Sequence, residues 1–161
     1  MPPQRFESLN QFRIALRSQR LIPHRLRLIG MSRQEYVLLV AAKVGGILAN
    51  DMYPAAFLYQ NLMIETNGIE SARLFEVKKR LSLGGACIYP RMAPQPLKEE
   101  YLLTGPLKAI NEWCAVAKIA GIELCQACQR QFGSRFISAI PANLYGQGDN
   151  LGLESSNFLP P

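Results

Sequence analysis

Two spacings of apolar residues divide the chain. From Glu35, EYVLLVAA is a continuous apolar run ending in the glycines of KVGG, the pattern of a strand buried on both faces and closed by a turn. VKKRLSLGGACIY is a second predicted strand ending in glycines, and RFISAIPAN is a third. Between these segments the period changes to that of a helix. In residues 53–75, Phe57, Asn61, Ile64 and Gly68 share one face, with Leu58, Leu62 and Ile69 near it. Residues 111–132 carry a second helical stretch, and Gly133 ends it as a C-terminal glycine. The pattern predicts strands near 35–41, 79–84 and 135–141 and helices near 53–75 and 111–132. Residues 89–110, with Pro90, Pro94, Pro96 and Pro106, read as a long loop, and so does the tail with Gly146, Gly148, Gly152, Pro160 and Pro161.

The order β-α-β-α-β predicts an α/β fold, a partial Rossmann-like, doubly wound parallel sheet. Such sheets place their sites at the carboxyl ends of strands, and AAKVGG, GGACIYP and PANLYG each follow a predicted strand directly. Before Glu35 the pattern is weaker. SLNQFRIALRSQ predicts one short helix, with Ser8 as cap, Leu9, Phe12 and Leu16 on one face and Pro23 beyond its end; HRLRLIG alternates like a weak strand.

Composition sharpens this division. The 161 residues, 48% hydrophobic and 19% charged, suit one globular domain rather than a disordered chain. No apolar run approaches the ~18 residues that span a bilayer, so no membrane partner is expected. No secretory signal is apparent, and a cytoplasmic setting with reduced thiols is expected. Residues 1–33 hold seven Arg, no Lys and one acid, Glu7, a net +6 that is the charge of the whole chain. We therefore divide the chain into a basic leader at 1–33, irregular or a short helix, and a domain at 34–161. The leader is compositionally like a transit peptide. Its arginines lack the interleaved aromatics that stack on bases, so nucleic-acid binding is not expected. Cys125 and Cys128 form a CxxC inside a predicted helix, which disfavours a redox turn. His24 is the only histidine, and no metal site is predicted.

AAKVGGILAN, YPAAFLYQNLMIE, CIYPRMAPQPLKEEYLLTGPL, AKIAGIELC and NLYGQGDN together resemble the GDP-L-fucose synthases, in the extended short-chain dehydrogenase/epimerase superfamily, over residues 35–161. The resemblance implies an NADP-dependent enzyme that epimerises C3 and C5 of GDP-4-keto-6-deoxy-D-mannose and reduces C4. Hydride delivery to a ketone needs a proton donor at the developing alkoxide. By resemblance that donor is a tyrosine, with a lysine one helical turn on to lower its pKa and hold the nicotinamide ribose, and a serine on the carbonyl. A cysteine and a histidine serve the epimerisation.

Carried onto this chain, the lysine is Lys118 and the cysteine is Cys87. The tyrosine position is Cys114, the serine position is Gly85 beside Ala86, and the histidine position is Asn157. The resemblance places Leu83, Gly84, Gly85, Ala86, Lys118, Pro141, Ala142, Asn143, Leu144 and Asn157 around the cofactor. A thiol's pKa of about 8.5 lies nearer neutrality than a phenol's, but its sulfur falls roughly 3–4 Å short of the phenol oxygen, and ~1 Å of misplacement can cost ~10²-fold. No GxxGxxG turn precedes Glu35, so NADP binding is not expected to be tight. The favoured expectation is a truncated, inactive relative of these GDP-sugar enzymes. The alternatives are an enzyme completed by a partner chain and a non-catalytic interaction module. Homo-oligomerisation is expected through faces that a partial sheet leaves uncovered.

Overall fold

The computed structural model describes residues 12–14, 35–45 and 47–141. Four strands form one parallel sheet in sequence order: β1 (Phe12–Ile14), β2 (Tyr36–Leu39), β3 (Lys79–Leu83) and β4 (Phe136–Ala139). The crossovers are helical. A short α1 (Ile47–Met52) and the long α2 (Pro54–Leu74) lie between β2 and β3, and α3 (Glu112–Phe132) lies between β3 and β4. The predicted Rossmann-like alternation is borne out, each of the three predicted strands and both long helices forming within a few residues of its expected place.

Two features differ from expectation. Phe12–Ile14, predicted within a helix, is strand paired in parallel with β2, Phe12 opposite Tyr36 and Ile14 opposite Leu38. An isolated helix of about a dozen residues is marginal in water, whereas the open edge of β2 offers unpaired backbone groups to a short extended segment. The remainder of the predicted leader helix, and HRLRLIG, lie outside the described residues. The second difference is α1, a helix turn that the sequence pattern does not signal. Pro54 then starts α2 at its first position, where a missing N–H costs nothing.

The register aligns inward-facing residues in rows. Val37, Arg80 and Phe136 form one row, and Leu39, Ser82 and Ser138 the next. Val37 and Phe136 join Ile69, Ala72, Val77, Cys125 and Cys128 in one apolar cluster. A second cluster packs Ile88, Tyr89, Ala115, Ile119 and Ile122 beneath the Pro-rich loop, with Leu97, Leu102 and Leu107 against it. The loop itself turns back on the strand end, the Arg91 N–H donating to Pro106 O at 2.9 Å. Helix α3 supplies residues to both clusters and so ties them together. Among the described residues no helix is long and apolar enough to cross a membrane.

Gly133 closes α3 with φ of 67°, and its N–H donates to Gln129 O at 3.1 Å. Nothing lies within 4 Å of where its Cβ would be, so any penalty for a side chain there is backbone strain alone. Gly133→Ala is expected to lower stability by about 1–2 kcal/mol, and Gly133→Asn by less, as read from urea denaturation. An alanine variant as stable as the parent would show that α3 ends without the left-handed turn.

Candidate functional site

Helices α2 and α3 meet through polar side chains spaced one turn apart on each. On α2 these are Asn61 and Glu65; on α3 they are Cys114 and Lys118. Asn61 Nδ2 lies 3.8 Å from Cys114 Sγ, and Glu65 Oε1 accepts from Lys118 Nζ at 2.6 Å. The two rungs rise in the same direction along both helices, as parallel crossovers require. A small residue makes the approach close: a Cβ on Gly121 would lie 3.0 Å from Glu65 Oε2, while Gly68 faces the sheet, where its Cβ would meet Leu39 at 3.3 Å.

Asn61 also fixes the chain leaving β2. Its Oδ1 accepts from the Lys43 N–H at 2.7 Å and its Nδ2 donates to Lys43 O at 3.0 Å. Asn50 of α1 does the same for the following residues, its Nδ2 donating to Gly45 O at 2.9 Å. The Cys114 thiol donates to Asn50 Oδ1 at 3.0 Å. Cys114 is thereby joined through two asparagines to the loop at the carboxyl end of β2, where a site is expected in this sheet type.

The end of β3 brings the second thiol. Leu83 is the last residue of the strand, and the Gly84 N–H donates to Ala139 O at 2.8 Å, holding the turn against β4. Gly85 is extended, and Ala86–Ile88 form a single 3-10 turn that carries Cys87. A Cβ on Gly85 would meet only Cys87 Sγ, at 3.8 Å, so a serine's Cβ fits there without strain. Burial pushes the Cys87 thiol pKa above its ordinary value, while the charges of Lys118 and Lys108 pull it back. Cys114 is likewise raised, first by burial and then by Cys87, with Lys118 opposing. The structure thus brings Cys87, Cys114 and Lys118 into one electrostatically connected group.

The predicted Leu83, Gly84, Gly85 and Ala86 stand together at the end of β3, and Pro141 follows β4. Ala142, Asn143, Leu144 and Asn157 lie outside the described residues. Sequence reasoning did not single out Asn50, Glu65 or Arg80. Asn61 had been placed on the inner face of α2, without a role. Beneath the thiols, Glu65 and Arg80 are buried at 2% and 1% exposure, and burial lowers the pKa of the Arg80 guanidinium against the pull of Cys125 and Glu65.

The sequence of residues 18–161 matches the NAD dependent epimerase/dehydratase family. The chain belongs to that family. A GDP-L-fucose synthase of Sinorhizobium fredii is 59% identical over 124 residues, 77% of this chain and 40% of that protein. Among solved structures, DdhaC superposes with a TM-score of 0.73 at 48% identity, covering 77% of this chain and 36% of its own. A GDP-L-fucose synthetase from Naegleria fowleri bound to NADP superposes with a TM-score of 0.70 at 32% identity, covering 78% of this chain and 39% of its own. The chain spans about two-fifths of the length of the curated relatives it matches.

A family member's dinucleotide needs donors for a pyrophosphate and a cation at the nicotinamide ribose. Among the described residues Lys118 is the cation beside the thiols, and its ammonium is bound to Glu65 at 2.6 Å. At the strand end the Gly84 N–H is taken by Ala139 O, and the Gly85 Cβ position has Cys87 Sγ at 3.8 Å. Lys118 and the backbone at Gly85 are the groups here that such a dinucleotide would meet.

The thiols report the electrostatics directly. Alkylation by iodoacetamide follows the thiolate, so both Cys87 and Cys114 are expected to reach half-maximal rate at a higher pH than free cysteine. Lys118→Met removes the charge that favours both thiolates. At fixed neutral pH their alkylation should slow further, as read by mass spectrometry of each peptide. Unchanged rates in the variant would remove Lys118 from the group.

Proposed function

We propose that this chain is a relative of the GDP-L-fucose synthases that does not carry out the reduction of a GDP-linked keto sugar. One observation carries the reading. The residue one turn before Lys118 is a thiol whose proton is donated to Asn50 Oδ1 at 3.0 Å, and the lysine itself is taken up by Glu65. A reductase of this kind needs that position to extend a proton donor toward substrate. Cys114 is too short for that, and its proton is engaged within the protein.

Gly85 supports the same reading. It has no side chain to hydrogen-bond a substrate carbonyl, and losing one such donor typically costs ~10²–10³-fold. Asn157, at the position matching the histidine of the family, has no group of comparable basicity. In this reading Cys87 and Lys118 are survivors of a catalytic set. Lys118 serves packing, and Leu83, Gly84, Gly85, Ala86, Pro141, Ala142, Asn143, Leu144 and Asn157 border a cofactor space that binds NADP weakly. Residues 1–33 form a basic leader that adds the strand β1, and 34–161 the partial domain. A cytoplasmic setting belongs to the reading as well.

Self-association of the chain also belongs to it. Leu48 and Met52 of α1 are 71% and 58% exposed, and Tyr53, Ile110 and Trp113 are 56%, 45% and 41% exposed. Such an apolar surface suits a second copy better than water. Sedimentation velocity is expected to give a dimer or larger species, and a monomer at high concentration would remove this element.

The test of the central reading is a repair. Cys114→Tyr restores a phenol one turn from Lys118 but leaves Gly85 and Asn157 unchanged. Groups that act as a unit recover little when one is restored. Single-turnover assay with NADPH and GDP-4-keto-6-deoxy-D-mannose is expected to show no nucleotide oxidation above background. Calorimetry of the unaltered chain with NADPH is expected to show no micromolar binding. Substantial turnover by Cys114→Tyr would falsify the reading, and micromolar NADPH binding would favour an enzyme with its cofactor site intact.

A further inference from the structure

We propose that Arg80 is a positioning residue for Lys118, acting through the Glu65 carboxylate that the two cations share. The inference goes beyond the reading above and holds whether or not the chain turns over. It begins with an anomaly in β3. A strand covered on its inner face by helices should present apolar residues there. Instead Arg80 and Ser82 occupy the two buried positions, in rows with Val37, Phe136, Leu39 and Ser138.

The Arg80 side chain is 0% exposed and Glu65 2%. Arg80 Nη1 donates to Ser82 Oγ and to Cys125 Sγ, the latter at 3.2 Å. Its Nε and Nη2 have no hydrogen-bond partner among the described residues, and neither does Glu65 Oε2. Nη2 and Oε2 face each other at 3.6 Å, an ion pair without a hydrogen bond. On the other oxygen, Lys118 Nζ stands at 2.6 Å, with its side chain 15% exposed. Two formal positive charges therefore share one carboxylate out of water. The sharing is unequal, and Lys118 is the member with a route to solvent.

From this geometry the direction of each perturbation follows. A buried carboxylate must keep a counter-charge. With Arg80 replaced by leucine, Glu65 retains only Lys118 among the described cations, and the ammonium is drawn inward. With Glu65 replaced by glutamine, the two cations lose their common anion. Arg80 is enclosed, so Lys118 is the one that swings outward, toward Cys87 and Cys114. Arg80 thus sets how firmly the lysine is held beneath the thiols.

The experiment measures acetylation of Lys118 by an N-hydroxysuccinimide ester, using mass spectrometry and the exposed Lys108 as internal reference. It uses no substrate or cofactor, so its outcome is separable from that of the repair experiment. Arg80→Leu is expected to slow Lys118 labelling by about twofold or more, the low end of coupling within one charge network. Arg80→Lys, which keeps the charge, should stay near the parent rate. Glu65→Gln should speed labelling and lower the melting temperature. If Glu65→Gln alone does not fold, Arg80→Leu/Glu65→Gln, which buries one fewer cation, carries the comparison. It should label faster than Arg80→Leu. Equal relative labelling of Lys118 in Arg80→Leu and the parent would overturn the proposal, because a purely structural Arg80 would shift the melting temperature and leave that ratio alone. Equal labelling in Arg80→Leu and the double variant would overturn it as well, by removing Glu65 as the intermediary.

Discussion

A carboxylate with 2% exposure, packed between two helices and a strand, is the constraint on which this structure turns. Leaving a buried charge unpaired costs several kcal/mol, so Glu65 dictates what surrounds it. Lys118 comes from α3 to one oxygen, and Arg80 from β3 to the other. Space for the carboxylate exists because position 121, three residues beyond Lys118, is glycine. Any Cβ there would sit 3.0 Å from Oε2. Gly68, three residues beyond Glu65, opens the same space on α2, where its Cβ would lie 3.6 Å from Arg80 Nη2. The glycines and the charges belong to adjacent turns of the two helices, and neither would serve without the other.

That constraint extends upward into the candidate site. One turn before the Glu65–Lys118 rung, Asn61 and Cys114 meet, and Asn61 holds both backbone groups of Lys43. The charged rung fixes the relative height of the helices, and the polar rung above it fixes the loop leaving β2. The thiols of Cys87 and Cys114 then fall beside Lys118 because their elements, the turn after β3 and the first turn of α3, are placed by the same register. The site is a consequence of packing before it is a consequence of chemistry.

Much of this was legible in the sequence, and the exceptions have physical causes. The strand β2 announced itself through an apolar run closed by glycines, β3 through the glycines that end it, and α3 through its period and Gly133. The candidate site residues at the end of β3 came from the family resemblance, and their place there agrees with the rule that parallel sheets put sites at strand ends. Glu65 was missed because the helical period of α2 grouped Phe57, Asn61, Ile64 and Gly68 on one face and left Glu65 off it. Burial instead reaches Glu65, since Lys118 and Arg80, distant in sequence, arrive to neutralise it. Arg80 was hidden for a related reason: KKR reads as an exposed basic edge, and only the pairing of β3 between β2 and β4 turns its third residue inward. Phe12–Ile14 was misassigned because Leu9, Phe12 and Leu16 carry a helical spacing, whereas the open edge of β2 decides the state of so short a segment.

In the proposed reading, the same physics explains how the chain keeps Lys118 while Cys114 stands one turn before it. Lys118 has two separable uses. It answers a buried carboxylate, which the fold needs, and in the proposed reading its place one turn after position 114 would serve only catalysis. Replacing it would strand Glu65 with an ion partner at 3.6 Å and no hydrogen bond on either oxygen. A change at position 114 carries no such penalty, because a thiol there still donates to Asn50. Among the described residues only Cys87 Sγ lies near the Gly85 Cβ position, so the sheet end accepts a glycine or a small side chain there. Fold stability therefore holds Lys118 in place independently of turnover, and leaves positions 85 and 114 open to change. The presence of the lysine is evidence of architecture; evidence of activity must come from the positions that the architecture does not protect.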